Sequence, residues 1–230
     1  MTASFRTLGA VLAATLSLNV LAAPLPTVRI TEVDPGGSGT LSYAVDWFEL
    51  TNTGSSTLTL SGWKMDDNSF AAASAVALNG ITSILAGESV IFLETSASNA
   101  ASKIASFKST WFGSNVPAGL QFGYYSGSGV SLGTSGDGVI VFDSANTQLA
   151  KVSFGAATSG ATFDNAAGLD NATLATVATL GVNGAFAGSD GRIGSPGRVT
   201  APAPVPLPAA AWLMAPMLAG LGLRRRQGAA

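Results

Sequence analysis

Between residues 24 and 200 the apolar side chains come in short runs, each closed by a cluster of Gly, Ser, Asn or Asp. Runs this short do not build the long one-sided stripe of a packed helix, so the pattern predicts strands joined by turns, the rhythm of an all-β sandwich or barrel. Residues 27–33, "TVRITEV", set Val28 and Ile30 against Arg29 and Thr31 and predict a first strand with one face inward. The runs 46–52 ("DWFELTN"), 56–63 ("STLTLSGW", with Leu58 and Leu60 on one face) and 88–94 ("ESVIFLE") predict three more. Further strands are expected at 119–125, 137–144 and 148–155, the last two joined over "SANT" as a hairpin. The 28 glycines and the 10% of charged residues suit this reading better than a helical one.

One stretch departs from the rhythm. Residues 96–112, "SASNAASKIASFKSTWF", space Ile104, Phe107 and Trp111 by three and four, which predicts a short amphipathic helix laid on the sheet with Ser98 or Asn99 as its N-cap.

The two ends read as processing segments. Residues 1–22 carry Arg6, an apolar run and then small residues, the layout of a secretory signal peptide cleaved before Ala23. A membrane-spanning helix would need roughly 20 apolar residues, and Thr15, Ser17 and Asn19 interrupt the run. Residues 23–200 are then the folded domain, 201–208 a stiff Pro-rich linker, 209–223 an apolar transmembrane stretch and 224–230 a basic cytoplasmic tail. Pro216, the apolar character of every face and the linker argue against a soluble core helix at 209–223. Arg224, Arg225 and Arg226 would stop transfer and hold that end on the cytoplasmic side.

Composition excludes several chemistries. The chain contains no cysteine and no histidine, which removes thiolate nucleophiles, thiolate and imidazole metal ligands and the Ser-His-Asp arrangement. A domain of this size buries enough apolar surface to manage without disulfides even when exported. With the four end-segment arginines set aside, 7 basic residues face 13 acidic ones, a net charge of −6 that repels phosphate backbones and disfavours nucleic acid as a partner.

The acids Glu32, Asp34, Asp46, Glu49, Asp66 and Asp67 crowd the first strands, and neighbouring strand ends could gather several carboxylates. Asp46, Glu49, Asp66 and Asp67 are the candidate metal ligands, an oxygen-only set of the kind that suits Ca²⁺, although no EF-hand spacing is present. The alternative is structural: Glu32 and Glu49 accept bonds from the backbone or from Arg29 and Lys64, while Asp66 and Asp67 shape a turn. Enzyme readings, either a paired-carboxylate hydrolase or a Ser-Lys pair using Lys64, Lys103 or Lys151, are weaker, since acids and serines at turns are ordinary turn chemistry. "SGDG" at 135–138 lacks the Lys-Ser/Thr and helix of a phosphate loop and predicts a turn. Tyr124, Tyr125 and Trp111 are either a sugar-stacking platform or, at strand spacing, core residues.

The ordered stretches "ITEV" (30–33), "DWFELTN" (46–52) and "LSGWKMDD" (60–67) resemble the signature of the lamin tail domain. The likeness runs on through "LAGESVIFL" (85–93), "SGDGVIVFD" (135–143) and the closing "IGSPG" (193–197), over residues 27–200. The resemblance implies an immunoglobulin-like β-sandwich serving as a structural or interaction module, not an enzyme. The helix and the glycine-rich stretch 124–138 depart from the family pattern. Trp47 and Trp63 are expected to fill the space between the two sheets.

Residues 205–230, "VPLP", an apolar stretch and "RRR", resemble the PEP-CTERM sorting signal of Gram-negative bacteria. Leu207 stands where that motif has its glutamate; Val205, Pro206, Leu207 and Pro208 form the expected sorting motif. The resemblance implies exosortase as a partner, an intermediate held in the inner membrane, and delivery to the cell surface or the extracellular polysaccharide matrix of a biofilm. The rival expectation is a glycan- or calcium-binding module.

Overall fold

The computed structural model describes residues 27–36 and 43–198. The predicted signal peptide (1–22), linker (201–208), transmembrane stretch (209–223) and basic tail (224–230), with Val205, Pro206, Leu207, Pro208 and Arg224, Arg225 and Arg226, lie outside the described residues. Among the described residues no helix is long and apolar enough to cross a membrane.

Along the chain the elements are β1 (Val28–Asp34), β2 (Trp47–Asn52), β3 (Leu58–Thr59), β4 (Lys64–Asp66), β5 (Val76–Ala77), β6 (Ser83–Ile84) and β7 (Ser89–Glu94). Then come α1 (Ala100–Phe112), β8 (Gln121–Tyr125), β9 (Asp137–Phe142) and β10 (Gln148–Phe154). The short strands β11 (Phe163–Asp164), β12 (Ala172–Leu174), β13 (Phe186–Ala187) and β14 (Ile193–Gly194) follow. Two five-stranded sheets, in the orders β11-β1-β2-β7-β8 and β12-β10-β9-β4-β5, carry the fold. The β7–β8 and β10–β12 pairs are parallel and the remaining pairs within these sheets antiparallel. The result is a β-sandwich with one short helix, consistent with the immunoglobulin-like class that the resemblance implies.

Alternation produces the inner core. Ile30, Val33, Phe48, Leu50, Val90 and Phe92 from the first sheet meet Met65, Val139, Val141 and Val152 from the second. Strict alternation from Val28 would also turn Glu32 into this apolar layer, and a β-bulge prevents it. Ile30 pairs with Leu50 but Glu32 with Glu49, so Thr31 is the extra residue, Val33 returns to the core, and Glu32 faces outward.

The expected strand at 56–63 is divided. Leu58–Thr59 pairs with β6, Leu60 stays buried, and Gly62, whose φ of 74° is open to glycine, turns the chain into β4. The predicted hairpin over 144–147 forms: the Asp143 carboxylate accepts the Ala145 and Thr147 N–H groups, both at 2.8 Å.

A second core lies on the outer face of the first sheet, where Tyr43, Val45, Trp47, Ile91 and Leu93 pack under Phe107, Trp111 and Phe112 of α1. The helix therefore forms where the spacing predicts it, with Asn99 at its N-cap but no side-chain capping bond. This layer corrects one expectation. Trp63 fills the space between the sheets, but Trp47 does not: odd positions of β2 face away from Phe48 and Leu50, so its ring lies against Phe107 (5.3 Å between centroids) and Trp111 (6.0 Å). The glycine-rich stretch is packed as well, with Val130 and Leu132 buried in the inner core.

Candidate functional site

Beside the aromatic layer, the same outer face carries a row of carboxylates. Glu32 and Asp34 project from β1 and Glu49 from β2, each no more than 1% exposed. Burying three acids this completely requires that each be hydrogen-bonded or ion-paired. Four of the partner residues, Thr162, Arg192, Ser195 and Gly197, come from the C-terminal part of the domain.

Arg192 grips Asp34 with two guanidinium nitrogens: its Nε donates to Oδ2 at 2.6 Å and its Nη2 donates to Oδ1. Trp47 Nε1 donates to the same Oδ2 at 3.1 Å and the Tyr43 hydroxyl at 3.3 Å. Glu32 Oε1 accepts the Thr162 hydroxyl at 2.6 Å and the Ser195 N–H at 2.7 Å, and the Ser195 hydroxyl lies 3.3 Å from Oε2. Glu49 accepts the Thr31 hydroxyl at 2.7 Å and the Gly197 N–H at 2.5 Å. The acids thus fasten residues 192–197 across the sheet. A general base must reach a substrate proton, and these carboxylates present no face to one.

The close approach explains Gly194. A Cβ there would stand 2.7 Å from Glu32 Oε1 and 2.8 Å from the Trp111 ring. Gly194→Ala is expected to cost about 1–3 kcal/mol by overpacking, read by urea denaturation. A neutral result would mean that the segment is not seated as described.

Burial pushes the carboxyls of Glu32 and Glu49 up. Glu49 rises to about 7, and Glu32 goes well above the ordinary range, with the neighbouring Glu49 charge adding to the effect of burial. The folded state therefore keeps a proton that the unfolded chain releases near the ordinary carboxylate pKa. Stability is fully present below that value and is lost as pH rises through about 7. Urea midpoints are expected to fall between pH 5 and pH 8, with the slope reduced in Glu49→Gln. A midpoint that rises over the same interval would contradict the burial account.

The four residues predicted as metal ligands occupy different parts of the sandwich. Asp46 begins β2 and is buried, its carbonyl accepting the Glu94 N–H at 2.8 Å. Glu49 is on the outer face of the first sheet, whereas Asp66, beside the inward Met65, is on the outer face of the second. Asp66 Oδ2 accepts the Ser69 hydroxyl (2.5 Å) and the Ala71 N–H (2.8 Å), and Asp67 Oδ1 accepts the Ser69 N–H (3.1 Å), so these two shape the turn after β4. Among the described residues no group of three or more acids is placed to hold a metal ion.

Glu32 and Glu49 do accept backbone donors, but not Arg29 or Lys64; Lys64 donates to Asn146 Oδ1 at 2.5 Å. Of the aromatic candidates, Tyr125 is fully buried in the inner core and Trp111, on α1, is buried against the first sheet. The sequence reading missed Thr162 and Arg192 altogether. Their contacts to β1 span 130 and 158 positions of chain, and the available signal was the presence of acids in otherwise apolar strands.

The family model described as Lamin Tail Domain matches residues 22–156, more than half of the chain, and no curated protein matches it. The match ends before residues 192–197, which complete the carboxylate row.

Proposed function

The chain belongs to the lamin tail domain family, and we propose that it is an exported structural or adhesive module, sorted by exosortase to the cell surface or the extracellular polysaccharide matrix. The family is one of immunoglobulin-like structural domains rather than enzymes. The observation that carries the reading is the use of the acids: three fully buried carboxylates, Glu32, Asp34 and Glu49, are spent on holding the domain closed.

The address is supported by the sequence at both ends. An export leader at 1–22 and the three-part signal at 205–226 together suit export, passage through the inner membrane and processing near residues 205–208. Fractionation tests this. The intact chain is expected in the surface or extracellular fraction, and a chain lacking residues 205–230 is expected to leave that destination. Unchanged delivery of the shortened chain would sink the sorting reading.

Binding and turnover are tested separately. Addition of Ca²⁺ is expected to leave the melting temperature unchanged, because an ion held by the native state must raise it. A rise that chelator reverses would favour the calcium-binding module, with Asp46, Glu49, Asp66 and Asp67 the first residues to substitute. Turnover of polysaccharide or phosphoester substrates that disappears with an Asp or Glu substitution would favour the hydrolase.

A further inference from the structure

We propose that residues 195–198 form a proton-dependent strap, fastened across the first sheet while Glu32 and Glu49 hold a proton between them and released when both are ionised. The inference concerns the folded domain and does not depend on the sorting reading.

The geometry sets up the conflict. Glu32 and Glu49 are direct cross-strand partners, and the bulge at Thr31 turns both to the same covered face. Like charges directly opposite each other across a pair of strands are destabilising, and burial strengthens the repulsion. One retained proton removes it without orphaning an atom. The hydroxyls of Thr31, Thr162 and Ser195 can each turn from donor to acceptor, so a protonated carboxyl finds a partner; Thr31 already has Thr51 as a second one at 2.9 Å. The Ser195 and Gly197 amides can only donate, and they need an acceptor oxygen on each acid in either state.

Neither Glu32 nor Glu49 forms an ion pair: Arg29, on the same face of β1 opposite Thr51, makes no ion pair among the described residues, and Arg198 of the strap lies over the Phe186 ring, 4.2 Å from its centroid. Arg192 is engaged by Asp34, the only ion pair among the described residues. From β11, Asp164 is the Cα partner of Glu32 and adds a third negative charge. The covering helix brings Thr110 and Trp111 to this layer, and β7 brings Ser89, none of them basic. Two charges in a dry layer are relieved by admitting water, and the lightest cover is the strap. Upstream the segment is secured by the Arg192–Asp34 pair and by the pairing of Ile193 and Gly194 with β13, which makes that point the hinge.

Amide hydrogen exchange on the full chain in mild detergent tests this at pH 6 and pH 9, corrected for the intrinsic pH dependence. Protection at Ser195 and Gly197 is expected to fall about tenfold or more at pH 9, while amides of β2 and β9 stay protected, and Glu49→Gln should abolish most of the fall. Equal protection at the two pH values, or the same fall in Glu49→Gln, would overturn the proposal. Should Glu49→Gln fail to fold, carbon NMR of the unsubstituted chain decides: Glu32 and Glu49 must titrate above the ordinary carboxylate range in step with the loss of protection. Titration of both below pH ~5 overturns it.

Discussion

Arg192→Met is expected to destabilise the domain by about 3–5 kcal/mol, the cost of leaving one partner of a buried ion pair uncompensated. Asp34 is fully buried and Arg192 is 6% exposed, so water cannot take over the lost bonds without opening the outer layer. Trp47 Nε1 and the Tyr43 hydroxyl would still donate to Asp34, but they carry no charge. The Asp34→Asn, Arg192→Met double variant is expected to be more stable than Arg192→Met alone, because it removes the stranded charge and keeps an acceptor for Trp47. Urea denaturation of the three proteins measures this. A loss under about 1 kcal/mol for Arg192→Met would place the pair among solvent-screened surface bridges and contradict the burial described.

Trp47→Ala should be of similar size, about 3–5 kcal/mol. The indole is fully buried, joins the first sheet to Phe107 and Trp111, and donates to Asp34 at 3.1 Å, so truncation opens a cavity and removes a charge-assisted bond together. Trp47→Phe separates the two effects. It retains most of the packing and is expected to cost about 1.5–3 kcal/mol, the range for a bond to a charged group. If the alanine and phenylalanine variants were equally stable, the packing between α1 and the first sheet would contribute little.

The contrast between Trp63 and Trp47 shows where sequence reasoning holds and where it stops. Alternation identified the strands that carry the inner core, because one-sided burial writes itself into the sequence with a period of two. It also located α1, whose period differs from that of its surroundings. What it did not contain was the second layer. β2 is buried along all six residues, so its inward and outward faces are both occupied, and composition does not say which tryptophan belongs to which.

The bulge at Thr31 was hidden for a related reason. Up to Ile30 the alternation is regular, and only the register against β2 reveals the inserted residue. The strands β11 to β14 are two or three residues long, too short to display any period. Several partners of the carboxylate row, Thr162, Arg192, Ser195 and Gly197, flank two of those elements, β11 and β14. The row's acids were visible as Glu32, Asp34 and Glu49, but beyond Thr31, Tyr43 and Trp47 their partners approach from residues 162 to 197, which nothing local connects to β1 or β2. The acids therefore suggested a cation site before the structure supplied protein donors for them.

The proposed export and sorting of the domain by its two ends are directly measurable. Intact-mass measurement of the chain recovered from the extracellular and surface fractions should find a product that begins near Ala23 and ends near residues 205–208. A mature product still carrying Arg224, Arg225 and Arg226 would contradict the account.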